Sequence, residues 1–232
     1  MISSAVVKVM NTLPKGLVES ICRAIVNRYL RKYADIEVKG IENLKEVEKP
    51  ILFICNHLSN SDALVINKAL KDQDIIFVAG VKLSDNPWTN IGMNITKTIS
   101  IRPNTADKDA ISRIVKTSKE GNNILIFPEG TRSRTGSMIE ARKGVILIQK
   151  LTKASVVPLA IYGSEKLMPI NNADMGSERF HHAKVTLNIG KRIDIPKKSV
   201  GEDRHEYEEK ALNFMMKKIA ELMPEEYRGF YK

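Results

Sequence analysis

The sequence predicts an α/β fold, a mixed β-sheet flanked by helices, with an N-terminal amphipathic helical hairpin ahead of it. Three observations carry this expectation. From Asp35 onward, short apolar runs alternate with longer stretches in which apolar residues recur every three or four positions. Two of the apolar runs lead into loops dense in polar and charged side chains, where ligand chemistry is usually built in sheets of this class. The chain has 232 residues, 43% of them hydrophobic and 28% charged, enough for one substantial core and with nothing that forces a second.

Taken in order, residues 17–32 place Leu17, Val18, Ile21, Cys22, Ile25, Val26, Tyr29 and Leu30 at helical spacing, with Arg23, Asn27, Arg28, Arg31 and Lys32 opposite. This is the composition of a basic amphipathic helix lying in a membrane interface. Periodicity alone equally allows the stripe to pack on the core. Residues 2–13 read as a shorter helix, with Pro14 and Gly16 in the turn of the hairpin. The expected division is a membrane-docking segment, 1–34, and an α/β domain, 35–232. Within that domain, strands are expected at 51–55, 75–79, 99–101, 124–127, 156–162 and 185–189, and helices at 62–70, 108–119 and 143–153. A last helix at 207–222 is ended by Pro224.

Thirty-seven Lys and Arg against 27 Asp and Glu give a formal charge of +10, so anionic surfaces or ligands are attracted. A nucleic-acid partner would call for a recognisable module with stacking aromatics on a basic face, and the sequence has none. The two cysteines, Cys22 and Cys55, have neither redox-motif nor metal-ligand spacing and read as buried thiols in a reducing compartment. The N-terminus is too short in apolar residues and too polar for a spanning helix or secretory signal, which places the chain on the cytoplasmic side.

The chemistry concentrates in ICNHLSNSD, residues 54–62. Four residues separate His57 from Asp62, room for a turn or helix start to return the carboxylate to one ring nitrogen. That fixes the tautomer and leaves the other nitrogen as a base. No GxSxG elbow occurs in the chain, so the hydroxyl to be deprotonated is expected on a substrate. A second stretch, FPEGTRSR at 127–134, runs from a strand into a glycine turn with a hydroxyl and two guanidiniums. Arginine suits phosphate because its planar fork makes paired charge-assisted hydrogen bonds. Glu129 is placed to hold an arginine or a substrate hydroxyl.

These two stretches resemble the glycerolipid acyltransferase family, specifically its bacterial 1-acylglycerol-3-phosphate acyltransferases. Asn56-His57 with Asp62 matches the family's NHxxxxD signature, and residues 127–132 match FPEGTR. Val157-Pro158-Leu159 is similar to its fourth block, Arg102 in ISIRPN falls where its second block has arginine, and residues 222–229 resemble its C-terminal tail. Leu58 and Ile101 depart from residues frequent there. The resemblance covers about Lys39 to Gly229. It implies the fold of glycerol-3-phosphate acyltransferases and acyl transfer to the sn-2 hydroxyl of lysophosphatidate, giving phosphatidate. By the same resemblance, His57 is the base and Asp62 its orienting carboxylate. Arg102, Arg132 and Lys82 bind the acceptor phosphate, and Glu129, Gly130, Thr131 and Asn56 position substrate. The donor is an acyl-CoA or acyl-carrier-protein thioester, no metal or organic cofactor is implied, and no acyl-enzyme forms.

The alternatives are acylation of glycerol 3-phosphate or another lysophospholipid, a membrane-associated hydrolase, and an inactive lipid-binding protein. Arg132 and Arg134 have the reading of solvated loop charges beside the functional one, and Asn56 that of a backbone contact. His181, His182 and His205 read as surface residues. An acceptor with one acyl chain lies in a bilayer, which favours an interfacial role for the basic N-terminal helix and a peripheral or monotopic location on the cytoplasmic face of the cell membrane.

Overall fold

The computed structural model describes residues 14–80, 95–102, 105, 107–171 and 177–232. Helix α1 (Lys15–Tyr33) runs directly into β1 (Ala34–Lys39), followed by β2 (Ile51–Cys55), α2 (Asp62–Ala69), β3 (Ile75–Gly80), β4 (Thr98–Ile101) and α3 (Lys108–Lys119). Then come β5 (Asn123–Ile126), α4 (Gly144–Thr152), β6 (Ser155–Tyr162), the single turn α5 (Ser164–Leu167), β7 (Ala183–Ile189) and α6 (Arg204–Ala220). Among the described residues the strands form one seven-stranded sheet in the order β1-β7-β6-β2-β5-β3-β4. Strands β6, β2, β5, β3 and β4 run parallel, β7 is antiparallel to β6, and β1 runs parallel to β7.

The central strand β2 is buried along its whole length and reads ILFIC, as expected for a parallel strand covered on both faces. Its side chains alternate. Leu52 and Ile54 join Ile124 and Ile126 of β5 under α3, α4 and α6, where Ile114, Val145, Ile146, Met215 and Ile219 close the layer. Ile51, Phe53 and Cys55 face the other way, onto Val65 and Ile66 of α2 and Leu30 of α1. The β2–β5 register pairs Leu52 with Ile124 and Ile54 with Ile126, so the loops that follow both strands leave the same sheet edge side by side.

The mixed sheet flanked by helices agrees with the sequence expectation, with four differences. Strand β1 was not expected, because ADIEVK has only two inward apolar positions and follows a helix without a break; pairing with β7, from Ala34↔Ala183 to Lys39↔Asn188, makes it a strand. The turn α5 is too short for periodicity to signal. Helix α6 begins three residues before its first apolar residue, because Asp203 caps it, accepting from the N–H groups of His205 (2.6 Å) and Glu206 (3.3 Å). Strand β5 ends at Ile126, leaving Phe127 in the loop. The helix expected at 2–13 lies outside the described residues.

Helix α1 divides its apolar residues between two faces. Cys22 and Leu30 are buried, with Val18, Val26 and Tyr33 packed beside them on the protein. One residue round the helix, Leu17, Ile21 and Tyr29 stay 48%, 36% and 41% exposed. Core packing thus accounts for one stripe and leaves a second, adjoining one in solvent.

Candidate active site

His57 stands two residues past the end of β2. The strand's direction is carried over by Asn56, which is fully buried and bonds like a strand residue: its amide nitrogen donates to the Ile161 carbonyl (2.7 Å) and its oxygen accepts the Ile161 N–H (2.8 Å). This side chain extends the β2–β6 pairing by one rung and fixes where His57 begins. The chain then turns into α2, whose first residue is Asp62. Asp62 is fully buried, and its Oδ2 accepts from His57 Nδ1 (2.7 Å), the Leu58 N–H (2.7 Å) and the Ser59 N–H (2.9 Å). Its Oδ1 is buried without a partner among the described residues. A carboxylate oxygen only accepts, so the imidazole proton sits on Nδ1 and the lone pair on Nε2. Nε2 has no hydrogen-bond partner among the described residues, and the side chain is 18% exposed.

The ring of His57 lies flat on Phe127, with centroids 4.1 Å apart and planes 17° from parallel. Phe127 starts the loop that follows β5. Two residues on, Glu129 is 1% exposed and accepts the main-chain N–H of His57 through Oε1 (2.9 Å) and that of Ile139 through Oε2 (3.1 Å). Burial pushes its carboxyl up to about 8, against the pull of those two N–H groups. Glu129 therefore holds backbone through both carboxylate oxygens, and no described arginine pairs with it. The Ser133 N–H returns to the His57 carbonyl (2.8 Å), so His57 is tied to this loop through both its main-chain groups.

Gly130 supplies the turn: its φ of +70° is a conformation that side chains disfavour, and its N–H closes onto the Phe127 carbonyl at 3.0 Å. Gly130 and Thr131 are exposed. Arg132 is held, its Nη1 on Glu178 Oε1 at 2.7 Å, with side chains 15% and 2% exposed. Arg134 is exposed.

The sequence-identified residues do not all converge. His57, Asp62, Asn56, Glu129, Gly130, Thr131 and Arg132 share the edge formed by β2 and β5. Arg102 follows the last residue of the edge strand β4, three strands from β2 or roughly 14 Å at ordinary strand spacing. Its side chain is 68% exposed and leans on Asp107 (Nε to Oδ2, 3.8 Å). Lys82 lies outside the described residues. His181, His182 and His205 are exposed, as expected.

Three groups join this site through contacts that the sequence patterns did not indicate. Glu178 joins Arg132 and also accepts from the Asn60 amide (2.8 Å), uniting the two loops across 46 and 118 positions of chain. Phe127 forms the floor under the imidazole. The segment after α6 straps the Ile139 stretch: Met138 N–H donates to the Tyr227 carbonyl (2.9 Å), Phe230 N–H to the Met138 carbonyl (3.0 Å), and Ala141 N–H to Tyr231 Oη (2.9 Å). Gly229 makes this approach possible, since a Cβ there would run into the Met138 carbonyl oxygen.

Ser59 and Ser61, the hydroxyls nearest in sequence, are buried and bonded elsewhere: Ser59 Oγ donates to the Met168 carbonyl (2.8 Å) and meets Ser61 Oγ at 3.0 Å. Neither bonds the imidazole. The arrangement is a histidine with an oriented, open nitrogen and no hydroxyl of the described residues bonded to it.

Comparison with known proteins identifies the family. The family model described as Acyltransferase matches residues 35–162, more than half of the chain. A chloroplastic 1-acyl-sn-glycerol-3-phosphate acyltransferase of Arabidopsis thaliana is 29% identical over 167 residues, 71% of this chain and 45% of that protein. The 1-acyl-sn-glycerol-3-phosphate acyltransferase of Bacillus subtilis is 25% identical over 158 residues, 68% of this chain and 73% of that one. Its counterpart in Borreliella burgdorferi is 27% identical over 184 residues, 78% and 68%. The chain thus spans less than half the length of the plant relative. The crystal structure of the 1-acyl-sn-glycerophosphate (LPA) acyltransferase PlsC from Thermotoga maritima superposes with a TM-score of 0.62 at 22% identity, covering 90% of this chain and 81% of that one, a likeness of fold.

Proposed function

The chain belongs to the acyltransferase family, and on that premise we propose that it transfers a fatty acyl group from a thioester to the sn-2 hydroxyl of 1-acylglycerol 3-phosphate, forming phosphatidate. One observation carries the reading: His57 is oriented by Asp62 and presents Nε2 with no hydroxyl of the described residues bonded to it. The alcohol therefore comes with the acceptor. Its oxygen attacks the thioester carbonyl as its proton passes to Nε2, and the resulting imidazolium is balanced by Asp62. The tetrahedral intermediate collapses, the C–S bond breaks, and the thiolate takes the proton back from the imidazolium. No covalent acyl-enzyme forms. The donor is acyl-CoA or acyl-carrier protein, with neither metal nor organic cofactor in any step. Arg132 binds the acceptor phosphate, with Lys82 as a further cation of the same role, while Gly130 and Thr131 line its approach.

The acceptor is reached at a membrane surface. Helix α1 offers Leu17, Ile21 and Tyr29 to solvent beside the exposed cations Arg23, Arg28, Arg31 and Lys32, a pairing that suits anionic lipid. No described helix is long and apolar enough to cross a membrane. The proposal is peripheral attachment to the cytoplasmic face of the cell membrane.

The test is thiol release from acyl-CoA by the full chain on vesicles containing lysophosphatidate, no acceptor, or glycerol 3-phosphate, with the lipid product extracted and identified. Release only with lysophosphatidate, together with phosphatidate, is expected. Release of equal rate without acceptor would make the protein a thioester hydrolase. Preference for glycerol 3-phosphate would move it to the other acceptor.

A further inference from the structure

Glu178, outside both sequence signatures, is the hub of a polar cluster that joins them. Its side chain is 2% exposed, and its carboxylate collects donors from three segments: Arg132 Nη1 (2.7 Å), Asn60 Nδ2 (2.8 Å) and the Asn171 N–H (3.3 Å). Its own backbone is fixed close by. Two residues on, Phe180 packs against Tyr29 and Tyr33 of α1, with centroids 5.5 and 6.3 Å apart, and the next N–H, that of His181, donates to the Leu167 carbonyl (2.8 Å). The contact with Arg132 uses one of the guanidinium's five N–H groups, and no other hydrogen bond joins that side chain to the described residues. A long side chain is therefore held by one edge, with the rest of its fork left for an oxygen ligand.

We propose that Glu178 is the positioning residue for the acceptor's phosphate, holding Arg132 in its binding pose. This rests on the reading of the acceptor as a lysophosphatidate. The role lies in pose and not in charge. A carboxylate beside a phosphate repels it, whereas an immobilised guanidinium does not have to be ordered when the phosphate arrives. Asn60, bonded to the same carboxylate, ties that pose to the His57 loop and so sets the distance between the phosphate and the base.

Two conservative variants separate pose from charge. Glu178→Asp keeps the charge and draws the carboxylate back by one methylene; it is expected to raise the acceptor KM roughly three- to tenfold, the cost of ordering one long side chain. Glu178→Gln drops the charge and keeps an oxygen for Arg132, while Asn60 can turn its amide over to accept from the new NH2. Its acceptor KM is expected within twofold of wild type or below it. In both, the acyl-CoA KM stays within twofold of wild type, and for Gln so does kcat. In an Arg132→Ala background, Glu178→Asp is expected to add nothing. The inference is overturned if Asp leaves the acceptor KM unchanged, if Gln raises it as much as Asp, or if Asp still raises it without Arg132. A wild-type chain that releases no thiol in response to lysophosphatidate would instead overturn the proposed function, and this inference with it.

Discussion

Replacing Asp62 by asparagine isolates the charge behind the proposed base. Asp62 Oδ2 takes three donors, from His57 Nδ1, the Leu58 N–H and the Ser59 N–H, at 2.7, 2.7 and 2.9 Å. An asparagine that turned its NH2 that way would face two backbone N–H groups, so the amide oxygen takes the position and the imidazole keeps its tautomer. What disappears is the negative charge beside the imidazolium that forms during reaction. At an N···O separation of 2.7 Å, Coulomb's law with an effective dielectric of about 20 gives an attraction of about 6 kcal/mol. Part of that survives as the amide dipole, and an expected loss of about 4–6 kcal/mol corresponds to about a 10³–10⁴-fold fall in kcat. The NH2 lands where Oδ1 is buried without a partner among the described residues, costing about 1–3 kcal/mol of stability and lowering Tm by several degrees. Thiol release under saturating substrates and thermal unfolding read the two effects separately. A folded Asp62→Asn protein with kcat within tenfold of wild type would refute the assignment of His57 and Asp62 as a charge-balanced base.

Glu129, with a carboxyl raised from 4.5 to about 8, destabilises the fold progressively as pH climbs through that window, by up to about 5 kcal/mol above it. Urea unfolding should therefore find Glu129→Gln gaining on wild type between pH 5 and pH 8.5, and a pH-independent difference would contradict the burial argument. Tyr231→Phe leaves the buried Ala141 N–H unpaired and is expected to cost about 1–3 kcal/mol in unfolding free energy; an unchanged midpoint would show that the strap contributes nothing. Changing Leu17 and Ile21 together to serine should abolish sedimentation with anionic vesicles at nearly unchanged Tm, because both are exposed. Sedimentation equal to wild type would remove α1 from the membrane contact.

Local signals made most of the sheet legible. Runs such as ILFIC and SVVPLAIY are continuous because parallel strands are buried on both faces, and the helices between them repeat with their own period. Strand β1 escaped because its order comes from a partner about 150 residues away, Ala183 for Ala34, and not from its own pattern. The same distinction runs through the site. His57 and Asp62 are five positions apart, so spacing alone could suggest their contact. Arg132 and Glu178 are 46 apart, Asn56 and Ile161 are 105, and Ala141 and Tyr231 are 90; each pairing exists only once the topology is built. Glu129 shows the limit from the other side. The sequence marked it as important, yet a residue type does not say whether a carboxylate turns to a ligand or to the backbone, and burial turned it to the backbone.

Three buried carboxylates divide the work of holding this edge of the sheet. Asp62 gathers donors within its own loop and sets the imidazole. Glu129 joins the main chain of His57 to that of Ile139, which the C-terminal strap holds in turn. Glu178 links the His57 loop to Arg132. Each acceptor is filled by groups from segments that would otherwise move independently, and a loop needs such cross-ties if a base and a phosphate ligand are to keep a fixed distance. Hydrogen-bonding capacity is thus largely consumed behind the site, and what remains open on its front among the described residues is His57 Nε2 and most of the Arg132 fork, a lone pair and a set of cationic donors. Those suit an alcohol that carries its own phosphate.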